Sequence, residues 1–200
     1  MCVYRAPRAA QQGDAFAFAP RAEIACCPWP EYPTAPAAFG QVCWRPDALL
    51  VRLTALESDP KITYRQPNDP VYQDSCLEFF VAPLPDRPAF CDFELNAAGT
   101  LLVGHYHNGD FGLIDPAHRP DFAPRAVRLP DRWQVTFTIP AAFLESRFPG
   151  FCYAAGEPVG ANFYKCGDHT AAPHYACWSP IHSEKPDFFH PECFGRIFRV

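Results

Sequence analysis

A chain of 200 residues with 48% hydrophobic and 20% charged side chains is long enough to bury one substantial core and too apolar to be a disordered segment. A formal net charge of −5, with no basic run, excludes a phosphate-tracking surface and with it nucleic acid as an expected partner. No apolar run approaches the ~20 residues that cross a bilayer, so no membrane partner is expected either.

The N-terminal stretch Met1–Arg8 lacks the uninterrupted apolar core of a leader, which predicts a cytoplasmic protein. Ten cysteines in 200 residues fall below the density of disulfide scaffolds, and in a reducing compartment they are expected to be free thiols in the core. Prolines (24) and glycines (11) are scattered along the whole chain and leave little room for long helices. The expectation is a single all-β domain over residues 1–200, a two-sheet antiparallel sandwich with one short helix.

Residues 1–13 show no clear period and are expected to be irregular. The proline-rich Pro28–Pro33 segment suits an edge, so the first stretch reads as an edge strand and loops around the core. Gln41–Trp44 and Leu49–Leu56 read as strands joined by a turn at Pro46 and Asp47. Ser58–Tyr72, with three prolines, is a long loop that delivers Tyr72 to the strand beginning near Cys76.

Phe90–Asn96 and Thr100–His105 form a hairpin through Ala97-Ala98-Gly99, with Gly99 suited to positive φ. Strict alternation marks Trp133–Ile139 as a half-buried strand, and Pro140 opens a short helix over Ala141–Leu144. Val159–Cys166 and Gly195–Val200 complete the strands. No internal repeat, linker or Asn-x-Ser/Thr site occurs.

Alternation at period two places Glu78 on one strand face, and Asp92, Glu94 and Asn96 together on a face of another. Tyr72 precedes the first strand and Phe188 lies near the chain end. Rings beside fixed hydrogen-bonding groups suit a pyranose, which has an apolar C–H face and a rim of hydroxyls.

The blocks Asp74-Ser75-Cys76-Leu77-Glu78-Phe79-Phe80, Phe93-Glu94-Leu95-Asn96-Ala97-Ala98-Gly99-Thr100, Trp133–Pro140, Ala161-Asn162-Phe163-Tyr164-Lys165 and Trp178-Ser179-Pro180 to Phe194-Gly195 resemble carbohydrate-binding module family 9. The resemblance runs over about residues 14–200 in block order and spacing. It implies a β-sandwich related to domains that bind sugars or haem. It also implies non-catalytic binding of a mono- or oligosaccharide in the service of carbohydrate catabolism, as in modules attached to xylanases. By position in the motifs Tyr72 and Phe188 resemble the two clamping rings, Glu78 the acid and Asn96 the amide of the site. Two departures stand out: the family's rings are tryptophans in its best-known members, and Glu94 replaces a basic residue. Asn162 and Lys165, on the strand nearest the C-terminal block, form a second tier. No protein partner is indicated.

Three rival chemistries remain open at this level. Cys166, His169, His174 and Cys177 are spaced as a possible zinc cluster. His105 and His107 share a strand face and offer imidazoles to a metal or a haem. Glu78 and Glu94 on neighbouring strands have the form of a glycoside-hydrolase pair. No cofactor is required by the sequence, although Asp59, Asp69, Asp74 and Asp168 lie where a structural calcium ion is possible.

Overall fold

The computed structural model describes residues 1–200. The N-terminal half holds β1 (Val3–Ala6), β2 (Ala22–Ile24), β3 (Ala38–Arg45), β4 (Ala48–Ala55), β5 (Cys76–Ala82) and β6 (Ala89–Asn96). After these come β7 (Leu101–His107), β8 (Asp110–Leu113), α1 (Arg119–Phe122), β9 (Arg125–Arg128) and β10 (Trp133–Pro140). The chain ends with α2 (Ala141–Arg147), β11 (Val159–Cys166), β12 (Tyr175–Cys177) and β13 (Gly195–Arg199).

These strands form two sheets. The larger runs β1-β13-β11-β5-β6-β7-β8, with β12 also pairing β11, and the smaller runs β2-β3-β4-β10-β9. Between the sheets lies the main core, to which β5 and β6 contribute Leu77, Phe79, Val81, Cys91, Phe93 and Leu95. Aromatic contacts stitch the layers: Phe137 of β10 lies 5.4 Å from Phe93 and 6.5 Å from Phe79 of the large sheet.

Two expectations need correction. Residues 1–13 are not wholly irregular, because β1 pairs in parallel with β13 and buries Tyr4 and Ala6. Its four residues are too few to establish a period, and their partner lies at the other end of the chain. The Tyr4 hydroxyl donates to Pro20 O and accepts from Val42 N, which fastens this edge to the second sheet. In addition to the helix after Ile139, a one-turn helix, α1, seats Phe122 in the core.

Close approach of the two layers needs a glycine at one point. A Cβ at Gly40 of β3 would lie 2.2 Å from the Phe163 ring. Gly40→Ala is therefore expected to cost about 1–3 kcal/mol by overpacking. A urea melt should show a lower midpoint at unchanged slope.

The sheets differ in what covers their outer faces. Burial along β10 alternates residue by residue, as expected for a strand with one face in solvent. By contrast β5, β6 and β11 are buried along their whole length. Long connecting segments fold over the outer face of the large sheet and carry Trp29, Val71, Ile181, Phe188 and Phe194 into a second apolar cluster there. The cleft described next lies under that cover.

Candidate functional site

Period two on three adjacent strands sets the floor. Cross-strand register pairs Glu78 with Glu94 and with Tyr164, so these side chains rise from one face. They open into a cleft of about 280 Å³. Its walls include Tyr72, Phe111, Tyr175, Phe188 and Phe189, and its floor includes Phe80, Glu78, Glu94 and Cys166. Asp168 and Asp187 add two more acids at the lining, which contains no lysine, arginine or histidine.

Tyr72 and Phe188 therefore share one cleft, but they stand in it differently. Tyr72 sits on a single helical turn, Val71–Gln73, and is 37% exposed. Its backbone oxygen accepts from Asp168 N at 3.1 Å, which ties the turn to the segment after β11. Phe188 is only 9% exposed because one ring face stacks on Tyr164 at 4.1 Å and 8°, with Trp29 tilted against it at 5.9 Å. One ring is thus presented to solvent and the other is sunk and buttressed.

The acids on the floor are buried without a counter-charge. Burial foremost pushes the Glu78 carboxyl well above its ordinary value, and the adjoining Cys166 thiol, which donates to Oε1 at 2.9 Å, and Asp92 work in the same direction. Burial, then the charges of Glu78 and Asp92, likewise raises Glu94, whose Oε2 has no partner. Such carboxyls hold protons easily and meet sugar hydroxyls as donors as well as acceptors.

Other candidates from the sequence fall outside the cleft. Asn96 shares the face of Glu94, but its amide is fully engaged: Nδ2 donates to Tyr64 O and Asp74 Oδ2, and Oδ1 accepts from Ala98 N and Thr100 N. It ties the β6–β7 turn, where Gly99 has φ +76°, to the loop that leads to Tyr72, and so positions a ring rather than a ligand. Asn162 is spent in the same way, donating to Ser179 O and accepting from Ser179 N.

Lys165 points to the opposite face of the sheet. There its Nζ meets His174 Nε2 at 2.8 Å, Cys166 O at 3.0 Å and Glu57 Oε2 at 3.4 Å. Burial disfavours ionisation of Glu57, but the Lys165 charge and hydrogen bonds from Trp133 and Ser75 outweigh it and hold that carboxyl below its ordinary value. Lys165 is an internal counter-ion and does not reach the cleft.

The spaced zinc cluster does not assemble. Alternation splits it: Cys166 faces Glu78, His174 turns to Lys165 across the sheet, and Cys177 Sγ faces Cys26 O. Asp59, Asp69, Asp74 and Asp168 do not converge either, and Asp69 and Asp74 instead accept backbone N–H groups within their own loop. His105 and His107 stack at 6.1 Å on β7, away from the cleft lining.

Phe111 was not legible as a site residue, although its strand carries a signal. Asn108-Gly109 is the strongest short hairpin dipeptide, and both residues take positive φ at the β7–β8 turn. That hairpin sets Phe111, 47% exposed, beside Phe189 at 5.5 Å. Tyr175 reaches the cleft on the short β12, whose three residues give no period to read.

A two-sheet β-sandwich with an aromatic, acidic cleft on the covered face of its larger sheet defines a small-ligand-binding module. The profile of carbohydrate-binding family 9 matches residues 13–198, and the chain belongs to that family. Comparison with curated proteins gives no significant match. Among solved structures, a candidate carbohydrate-binding protein from Bacteroides uniformis ATCC 8492 superposes with a TM-score of 0.83 at 23% identity, covering 100% of this chain and 98% of that one. A family 9 module from Caldicellulosiruptor kristjanssonii in complex with cellotriose gives 0.65 at 14% identity over 99% and 93% of the two chains. A family 9 module from the same organism with glucose gives 0.63 at 15% identity over 100% and 96%. At these identities the superpositions establish a shared fold.

Proposed function

We propose that this protein binds a neutral mono- or oligosaccharide, without transforming it, in the cleft between Tyr72 and Phe188. The observation that carries the reading is the placement of those rings at one cavity with Glu78 and Glu94 on its floor. The rings cover the apolar faces of a sugar and the carboxyls engage its hydroxyls. Cellotriose and glucose in the two Caldicellulosiruptor kristjanssonii complexes are ligands of the same class. A cavity of about 280 Å³ suits one or two sugar units at a glycan end.

The charge of the lining sets the choice among sugars. The lining has no basic side chain to pair with an anionic group, so uronates and sugar phosphates would enter without a counter-charge and are disfavoured against neutral sugars.

Calorimetry with glucose, cello-oligosaccharides and glucuronate tests the reading. Neutral sugars are expected to bind with Kd between about 1 μM and 1 mM, and glucuronate at least about tenfold more weakly. Tighter binding of glucuronate, or no binding by a broad panel of neutral sugars, would overturn it.

A further inference from the structure

Beside Glu78 at the cleft floor lie two thiols that sugar binding does not use. Cys76 of β5 and Cys166 of β11 are register partners, and Glu78 follows Cys76 by two positions on the same face. One sulfur of each thiol and one carboxylate oxygen all lie within 4.8 Å of one another, and all three residues are buried. In a tetrahedral site with Zn–S about 2.3 Å and Zn–O about 2.0 Å, ligand atoms stand roughly 3.5–3.8 Å apart, so shifts of about 1 Å close the set.

A second observation points the same way. Glu94, 6% exposed, faces Glu78 across the β5–β6 pair with Oε2 unpartnered. No basic side chain lines the cleft, and Lys165 serves Glu57 on the other side of the sheet. Buried carboxyls gathered without a counter-charge are costly, and a cation offsets that cost. Cys166 and Glu78 themselves line the cleft, which supplies an entry path.

We propose that Cys76, Glu78 and Cys166 form a binding site for one thiophilic divalent cation of the zinc class, with its fourth position open to the cleft. Two sulfur ligands favour zinc over calcium or magnesium, which prefer all-oxygen shells. On binding, each thiol gives its proton to solvent as its S–Zn bond forms and the protonated Glu78 carboxyl gives up its own as its O–Zn bond forms, so three protons leave for each ion bound. The three ligands and the ion then carry a net charge of −1. The site is separate in sequence logic from the Cys166–Cys177 cluster, since only Cys166 is common to both.

Reduced full-length protein is titrated with Zn²⁺ against a chromophoric chelator, and separately with Co²⁺ under anaerobic conditions, both without sugar. One equivalent of zinc is expected, and Co²⁺ is expected to give a sulfur-to-metal charge-transfer band with intense tetrahedral d–d absorption. Cys166→Ser and Glu78→Gln should each weaken zinc binding at least about tenfold, and Cys193→Ser should leave it unchanged. Near-UV circular dichroism identifies variants that fail to fold, and the cobalt spectrum of the parent protein decides the matter if they do. Zinc below a tenth of an equivalent, cobalt bound without a sulfur band, or unchanged affinity in folded Cys166→Ser would overturn the proposal. So would loss of the two thiols to a Cys76–Cys166 disulfide in freshly purified protein. Sugar binding measured in chelator stands or falls independently of each result.

Discussion

Tyr72→Ala is expected to weaken saccharide binding about 30-fold while leaving the fold intact. The ring is 37% exposed on a single helical turn, and what holds that turn is backbone: Tyr72 O accepts from Asp168 N, and Gln73 O from His169 N. Truncation removes one stacking surface and no structural hydrogen bond. Covering a sugar face with one aromatic ring contributes about 2 kcal/mol through area burial and C–H contact with the π face, which corresponds to the stated factor. Calorimetry with the best neutral ligand measures it, and equal affinity of Tyr72→Ala and the parent would move the sugar elsewhere.

Phe188→Ala makes an instructive contrast. Its ring stacks on Tyr164 and is packed by Trp29, so its removal opens a void in the apolar cover. The expected loss includes stability as well as affinity, and the two separate only when binding is referred to the folded fraction.

The sequence made the sandwich and the acidic strands legible because they rest on period two over seven or eight residues. In β10 the alternation survives into the burial pattern, and in β6 it groups Asp92, Glu94 and Asn96 as expected. What period two does not convey is which face is covered. Lys165 is a candidate by its place on the strand nearest the C-terminal block, yet alternation sends it through the sheet to Glu57.

Asn96 failed for a different reason. An amide on a binding face reads as a ligand until its partners are known, and all of them here are loop atoms brought in from residues 64, 74, 98 and 100. The Cys76–Cys166 pair was illegible because it depends on the register between β5 and β11, which are separated by more than 70 residues of chain. β1 was missed on the same ground, since its only neighbour in the large sheet is the last strand.

Asp92 is expected to make the metal-free protein less stable as pH rises from about 4 to about 7, and Asp92→Asn to remove most of that loss. Asp92 is fully buried, and neither carboxylate oxygen has a partner at full hydrogen-bond geometry, although Glu94 and the Gly104 backbone stand close enough to offset part of the burial. The space it fills is left by Gly104 on β7, where a Cβ would lie 2.3 Å from Asp92 Oδ1 and equally close to Phe111. Burial foremost lifts its carboxyl from the ordinary 3.8 to about 7, with Glu94 as its nearest titrating neighbour and Glu78 on the same face.

Below the ordinary value both folded and unfolded chains hold the proton, and Asp92 does not affect their balance. Between about 4 and 7 the unfolded chain releases it while the folded one retains it, so stability falls with pH by about 1.4 kcal/mol per unit. The loss is complete once the folded group ionises. Glu78 and Glu94 add losses of the same sign and leave a residual slope in the variant. Glu57, held low, acts in the opposite sense and only where pH drops below its ordinary 4.5.

Urea unfolding of parent and Asp92→Asn in chelator-treated buffers from pH 4 to pH 8 measures the difference. The curves should converge at the acid end and separate by about 2–4 kcal/mol at pH 8 in favour of the variant, because a neutral amide of the same shape replaces a buried charge. Parallel curves would mean that Asp92 is solvated or paired in solution. In that case the covered face of the large sheet would be open to water where the structure closes it.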